Sequence, residues 1–312
     1  MEMELNELQA SIQDSIRLIL ERGAGPERAR ALRERGESDH DLIDELAQAG
    51  FLGLFEDPDA GPLCAELVTE WVSEAASLVP IGWRTLVVPS VVEEVIPPII
   101  AVMDVNVAGP VRFANEAESI LILEGDEARI VDASKIRATP VQSIYGYPMA
   151  SVEIMGTGTE LSRGAGAKAR RWWQVALASE ISGTSSAVFN FMAKFLGERE
   201  QFGRPLDSFQ ALQHRMIELY VHIEGTKWSA REAAYLGAPA EQAATAAISG
   251  VKTAKLLIQE AHQLAGAIGL TVEFDLHLWS LRLQTLRMEA GGFAAHSAAL
   301  AESRWGSVEP RN

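Results

Sequence analysis

Cysteine is almost missing from the 312-residue chain. Cys64 is the only one, so there is no disulfide framework and no cysteine zinc site. Basic charge is scarce too: 27 Lys and Arg stand against 43 Asp and Glu, a formal net charge of −16. A protein that tracks phosphates needs a basic footprint, and anionic lipid attracts polybasic segments, so neither nucleic acid nor membrane is an expected partner. No run offers the roughly 18 uninterrupted apolar residues of a membrane span. The richest stretch, Val87 to Met103, carries Glu93, Glu94, Pro97 and Pro98. Met1 to Arg22 bears acids and lacks the basic start and apolar middle of a secretory leader. The expected location is the cytoplasm.

Proline is also missing where it matters. Ten of the 13 precede residue 150, and only Pro205 and Pro239 fall between 150 and 309. Because proline breaks helix interiors, its absence permits long helices in an alanine-rich second half. The apolar spacing agrees. Val188, Met192 and Phe195 follow i, i+4, i+7, as do Leu212, Met216 and Leu219, with Ile223 one turn on. Ala254, Leu257, Ile258 and Ala261 repeat the pattern, and a weaker version surrounds Leu281 and Met288. Asp207 with Gln210 reads as a capping box after Pro205, and Gly164-Ala165-Gly166 as a loop before the first of these helices.

The first hundred residues read as shorter helices, with Ser38 and Asp41 capping one that runs through Leu42, Leu46 and Ala49 to Gly50. The middle is different: Val105–Val107, Ser119–Leu123, Arg129–Val131 and Ser151–Ile154 are short β-prone runs between Gly, Asp and Pro signals. The expected fold is mainly α with a small β segment. It divides into N-terminal helices over 1–104, a reduced middle β domain over 105–160 and a C-terminal antiparallel four-helix bundle over 165–305. The tail from Gly306 to Asn312 is expected to fray.

None of the six histidines (His40, His214, His222, His262, His277, His296) sits in a metal-ligand spacing, and there is no phosphate loop, dinucleotide fingerprint or nucleophile elbow. One segment stands out: Gly197 to His214 is a helix end, a Gly/Pro turn and a new helix, with Arg199, Phe202 and Gln210 around the turn. An arginine fork matches pyrophosphate oxygens, a ring stacks on a purine and an amide bonds the purine edge. The same residues also suit a surface arginine, a core phenylalanine and a capping glutamine.

Arg199-Glu200-Gln201-Phe202-Gly203 and the following Phe209-Gln210 resemble the turn joining an arginine to Phe-Gly, and the F/H-Q helix start, of the acyl-CoA dehydrogenase family. Leu42 to Leu54 is similar to that family's N-terminal helix and its "G-lgl" turn. Gln263-Leu264-Ala265-Gly266-Ala267-Ile268-Gly269-Leu270 is similar to its Q-x-x-G-G-x-G-F flavin-contact turn, with Ala267 replacing the second glycine. The resemblance covers about 40–56 and 105–304. It implies FAD-dependent α,β-dehydrogenation of an acyl-CoA thioester, in which a carboxylate removes the α-proton and the β-hydride passes to the flavin. It further implies that FAD is shared across a subunit interface. Arg199 would meet the pyrophosphate, Phe202 and Gln210 the adenosine half, and Gln263, Gly266 and Ala267 the other end of the cofactor.

The base itself departs from the family. Counting from Gln263, the usual glutamate position is Ala290; Glu289 is one residue early, rotated about 100° on a helix. A second subfamily's glutamate position falls near Trp173, where the Arg171-Trp172-Trp173 cluster either plugs an acyl cavity or packs in a core or interface. The family's flavin loop and tryptophan strand are missing, and 312 residues is short for a member. These departures resemble the short, non-catalytic subunit of the heteromeric, heterotetrameric acyl-CoA dehydrogenases of steroid side-chain degradation. The implied partner is a longer subunit carrying the catalytic glutamate, with an electron-transfer flavoprotein as a candidate acceptor. Two alternatives stay open: a self-sufficient homomer using Glu289, and a family-fold scaffold without FAD.

Overall fold

The computed structural model describes residues 4–306, so the tail expectation for 307–312 lies outside the described residues. Three helices open the chain: α1 (Glu7–Gly23), α2 (Pro26–Arg35) and α3 (His40–Gln48). The cap of α3 is Asp39 rather than Ser38, its side chain accepting from the Leu42 amide. Helix α4 (Gly61–Glu74) then runs into the interior. It crosses α5 (Ala165–Glu198) so closely that a Cβ at Gly183 would overlap the Glu70 carbonyl oxygen, which only glycine avoids.

The β segment is larger than the sequence pattern suggests. A four-stranded sheet has the order β1-β3-β4-β7, from β1 (Ile100–Asp104), β3 (Ser119–Glu124), β4 (Glu127–Asp132) and β7 (Thr159–Glu160). A three-stranded sheet joins β2 (Val111–Arg112), β6 (Met149–Ile154) and β5 (Ile136–Val141). Strand β1 lies before the expected Val105–Val107 run, pairing in parallel with β3 (Val102 opposite Leu121), while Val105 to Val107 form the turn that follows.

Helices α5, α6 (Gln210–Tyr235) and α7 (Ala240–Ala265) alternate in direction and bury Val188, Met192, Met216, Leu219, Ile223, Ala254 and Leu257 against one another. The fourth member of the bundle is broken into α8 (Leu276–Leu286) and α9 (Gly292–Trp305). Two local expectations fail at helix starts. Gly164 is the cap of α5 and Ala165-Gly166 its first turn, not a free loop; the Gly166 amide bonds the Asp126 carbonyl. Asp207 makes no capping box, because Leu206–Ser208 form a separate 3-10 turn and Phe209 is extended, leaving Asp207 outside α6. No helix among the described residues is long and apolar enough to cross a membrane.

Candidate functional sites at the two ends of helix α5

The first site lies where β2, the start of α5 and the α8–α9 break converge. Trp173 and Glu180 are seven residues apart on α5, two turns, and so share a face. Residue Ala290 adopts a left-handed conformation (φ 49°, ψ 32°), followed by Gly291 and Gly292 with φ of 83° and 62°. Three left-handed residues in a row end α8 and turn Glu289 inward. Counting along a helix rotates Glu289 away from the usual position unless the backbone shifts, and at Ala290 the backbone does shift.

Glu289 is gripped by Arg112. The guanidinium donates through Nε to Oε1 and through Nη2 to Oε2 at 2.9 Å, while Nη2 also lies 3.0 Å from Glu180 Oε2. The indole of Trp173 donates to Glu289 Oε2 at 3.3 Å, and the Gly82 amide donates to Glu180 Oε1 at 3.0 Å. The guanidinium is sandwiched between Trp83 and Tyr147, 4.6 and 4.7 Å from their ring centroids. Burial works against the Arg112 charge, yet Glu180 and Glu289 outweigh it and hold the group protonated. Burial pushes the Glu289 carboxyl above its ordinary range and Glu180 adds to this, while Arg112 pulls it back. Beneath the turn, buried His296 lies 3.4 Å from Gln174, and burial drives its pKa down to about 4.

Trp173, Glu289 and Ala290 thus meet on one cavity of about 360 Å³, lined also by Trp83, Arg112 and Thr285. Trp172 instead packs in the interior, edge-on to Phe55 at 4.8 Å. Sequence reasoning missed Arg112 and Glu180. Each is a lone charge in an apolar stretch, a signal that could have found them, since buried charges are paired.

The second site is at the far end of α5. Arg199 ends the helix, and β8 (Glu200–Gln201) pairs with β9 (Arg204–Pro205) across Phe202-Gly203. Both turn residues have positive φ, 55° and 80°, the backbone signature of a type I′ turn, which asparagine or glycine ordinarily fills. Phe202 is nevertheless 89% exposed, its ring edge-on to Phe209 with centroids 6.0 Å apart. It is not a core residue. The Arg204 guanidinium stacks on Phe209 at 4.0 Å. Arg199 and Gln210 are exposed.

Because α5, α6 and α7 alternate, the end of α7 reaches the same end of the bundle, tied there by the Arg215–Glu260 pair at 2.5 Å. Gln263 and Ala267 are exposed there beside Gly266, whose φ is 66°. The structure therefore gathers Arg199, Phe202, Gln210, Gln263, Gly266 and Ala267 at one end of the bundle. From Trp173 to Arg199, α5 climbs about 39 Å at 1.5 Å per residue. No group of three or more His, Cys, Asp or Glu among the described residues could hold a metal ion.

Residues 171–303 match the acyl-CoA dehydrogenase C-terminal domain. Over this region, under half of its length, the chain is similar to acyl-CoA dehydrogenases. Acyl-CoA dehydrogenase IpdE2 of Mycobacterium tuberculosis is 36% identical over 108 residues, 35% of this chain and 34% of the relative. The chain thus matches about a third of that curated relative's length. Two solved structures share the acyl-CoA dehydrogenase fold over nearly the whole chain. The ChsE4-ChsE5 complex of Mycobacterium tuberculosis has a TM-score of 0.84 at 16% identity, covering 99% of this chain and 100% of that one. A variant of the Tcur3481-Tcur3483 steroid ACAD has a TM-score of 0.80 at 23% identity, covering 96% and 98%. Acyl-CoA dehydrogenases bind FAD.

Proposed function

We propose that this chain is a subunit of a cytoplasmic FAD-dependent acyl-CoA dehydrogenase, completing the FAD site of a longer partner subunit that carries the catalytic glutamate. The observation that carries this reading is the hairpin after α5. A strained turn holding an exposed ring beside Arg199 and Gln210 has no purpose within the fold, and its donors suit a dinucleotide. Arg199 would hold the pyrophosphate; Phe202 and Gln210 would hold the adenosine half; Gln263, Gly266 and Ala267 would line the opposite end. When bound, FAD accepts a hydride from the acyl group. The hairpin and the cavity are a helix-length apart, so a cofactor using both kinds of site would meet them on two different subunits. That supports sharing across an interface, with the bundle of 165–305 as the partner-facing unit.

The chain's own acid is poorly suited to proton abstraction. A general base must reach the substrate proton with a free lone pair, and the Glu289 oxygens are engaged by Arg112 and Trp173. Heteromeric neighbours of the fold agree with a two-chain enzyme, and the steroid ACAD among them motivates a steroid side-chain thioester as substrate. A second reading, a homomer using Glu289, draws on the presence of that carboxylate at the cavity wall.

The test is the mass and flavin absorbance of the chain alone and after co-expression with a long family member bearing the glutamate. The expected result is a flavin-containing heteromer that oxidises an acyl-CoA, with no activity in the chain alone. A yellow, active single chain that loses activity in Glu289→Gln overturns the proposal for the homomer. Co-expression that yields neither complex nor flavin overturns it for the scaffold.

A further inference from the structure

A second cavity, sharing no lining residue with the Glu289 cavity or the hairpin, carries an inference that goes beyond the flavin reading and does not depend on it. Its volume is about 510 Å³, and it lies among the end of α1, the start of α2, the end of α4 and Trp279 of α8. The wall holds three carboxylates, Asp14, Glu21 and Glu74, against one cation, Arg17. Arg17 is committed to Glu21 at 2.8 Å, one turn along α1. Neither Asp14 nor Glu74 has an ion-pair partner among the described residues, and Glu74 Oε1 accepts only from Asn190 Nδ2 at 3.2 Å. Glu74 is half-buried; burial and the nearby Glu70 push its carboxyl above the ordinary range, against Lys227 and the Asn190 bond. The rest of the wall is largely apolar, from Ile16, Leu20, Ala24 and Ala75 to two indoles, Trp71 and Trp279. Phe191 backs Trp279 with ring centroids 5.3 Å apart.

We propose that this cavity binds an organic cation, a quaternary ammonium compound with a short apolar tail, its charge answered by Glu74 and Asp14 and its methyl groups by the two indoles. The volume and the apolar lining with few polar groups are those of a small-molecule site. Indole is the ring that attracts a cation most strongly. A metal ion is not matched, because no three acids among the described residues converge to hold one. A quaternary ammonium donates no hydrogen bond and spreads its charge, so ring faces and spaced carboxylates suit it. An anion meets an excess of like charge and a cation already paired. A neutral guest would take water from Glu74 without supplying a counter-charge, which is costly. No covalent step takes place there.

The test is calorimetric titration of the full chain with hexyltrimethylammonium, 1-hexanol and hexanoate, three probes with one tail and different heads. Saturable binding of the cation is expected, with hexanol at least about 10-fold weaker and no binding of hexanoate. Trp71→Leu, which removes one ring, should weaken the cation about 3- to 10-fold. The double variant Asp14→Asn with Glu74→Gln keeps both shapes and should weaken it by about 10-fold or more. Glu93→Gln with Glu94→Gln removes two exposed acids outside the cavity and should leave binding unchanged, which separates the site from attraction to the acidic chain as a whole. Absence of saturable cation binding overturns the proposal. So does binding of hexanol or hexanoate as tight as the cation, or an equal effect of the two double variants. Circular dichroism checks the fold of each variant, and an unfolded Trp71→Leu leaves the comparison of the double variants decisive. Flavin content plays no part in this result, so its failure is distinct from failure of the heteromer reading.

Discussion

The two ends of α5 hold the same kinds of residue in opposite circumstances. At the start of the helix, Arg112 is buried, faces two carboxylates and lies between two rings. At the end, Arg199 is exposed, and the ring next to it stands almost entirely in solvent. Pairing within the chain consolidates the fold but occupies the groups that chemistry would need. Groups left free add little to the fold and stay available to something outside it. Position in a family motif therefore says where a residue sits, while its partners say whether it can still act.

That contrast can be broken by mutation. Arg112→Met leaves Glu180 and Glu289 buried without a counter-charge and should cost about 3–5 kcal/mol, measured by urea unfolding at pH 7. Arg199→Met should change stability by less than about 0.5 kcal/mol while lowering flavin retention in the heteromer. Equal stability losses would erase the distinction. His296 sharpens the buried side. Its pKa falls from 6.5 to about 4 on folding, so the fold favours the neutral ring. Its contribution is intact above pH 6.5 and lost as pH drops through 4, up to about 3 kcal/mol by linkage. The acid limb of stability between pH 6.5 and 4 should therefore be shallower in His296→Gln. On the exposed side, Phe202→Gly relieves a left-handed residue and should raise stability by about 1 kcal/mol. The same variant should weaken flavin retention; a loss of stability would mean that the ring serves the fold after all.

The bundle was legible because its helices are long, nearly free of proline and regularly spaced in apolar residues such as Val188, Met192 and Leu219. Strand β1 was not. Its apolar run follows Pro97-Pro98 without the turn signals that bound an isolated strand, and its pairing with β3 is a long-range fact. Strand β5 hid for a related reason: Pro140 and two polar residues dilute its pattern, yet it sits at a sheet edge where proline is tolerated. The family turn at 199–210 was visible as a motif, but the exposure of Phe202 was not, since an aromatic residue is ordinarily assigned to the core. The inward turn of Glu289 was the least legible. It follows from Arg112, 177 residues away in sequence, and from a left-handed alanine that no local preference announces.

The turn at Phe202-Gly203 has a consequence for how tightly anything could be held there. A ring on a loose loop loses its freedom at the moment of contact, at about 0.5–1.5 kcal/mol for each immobilised side chain. Here the adjacent left-handed residues and the short β8–β9 pairing set the backbone in advance. The entropy of ordering that loop is lost during folding, before any encounter. The hairpin is preorganised, and its strain is the counterpart of a smaller ordering penalty for anything that docks on it.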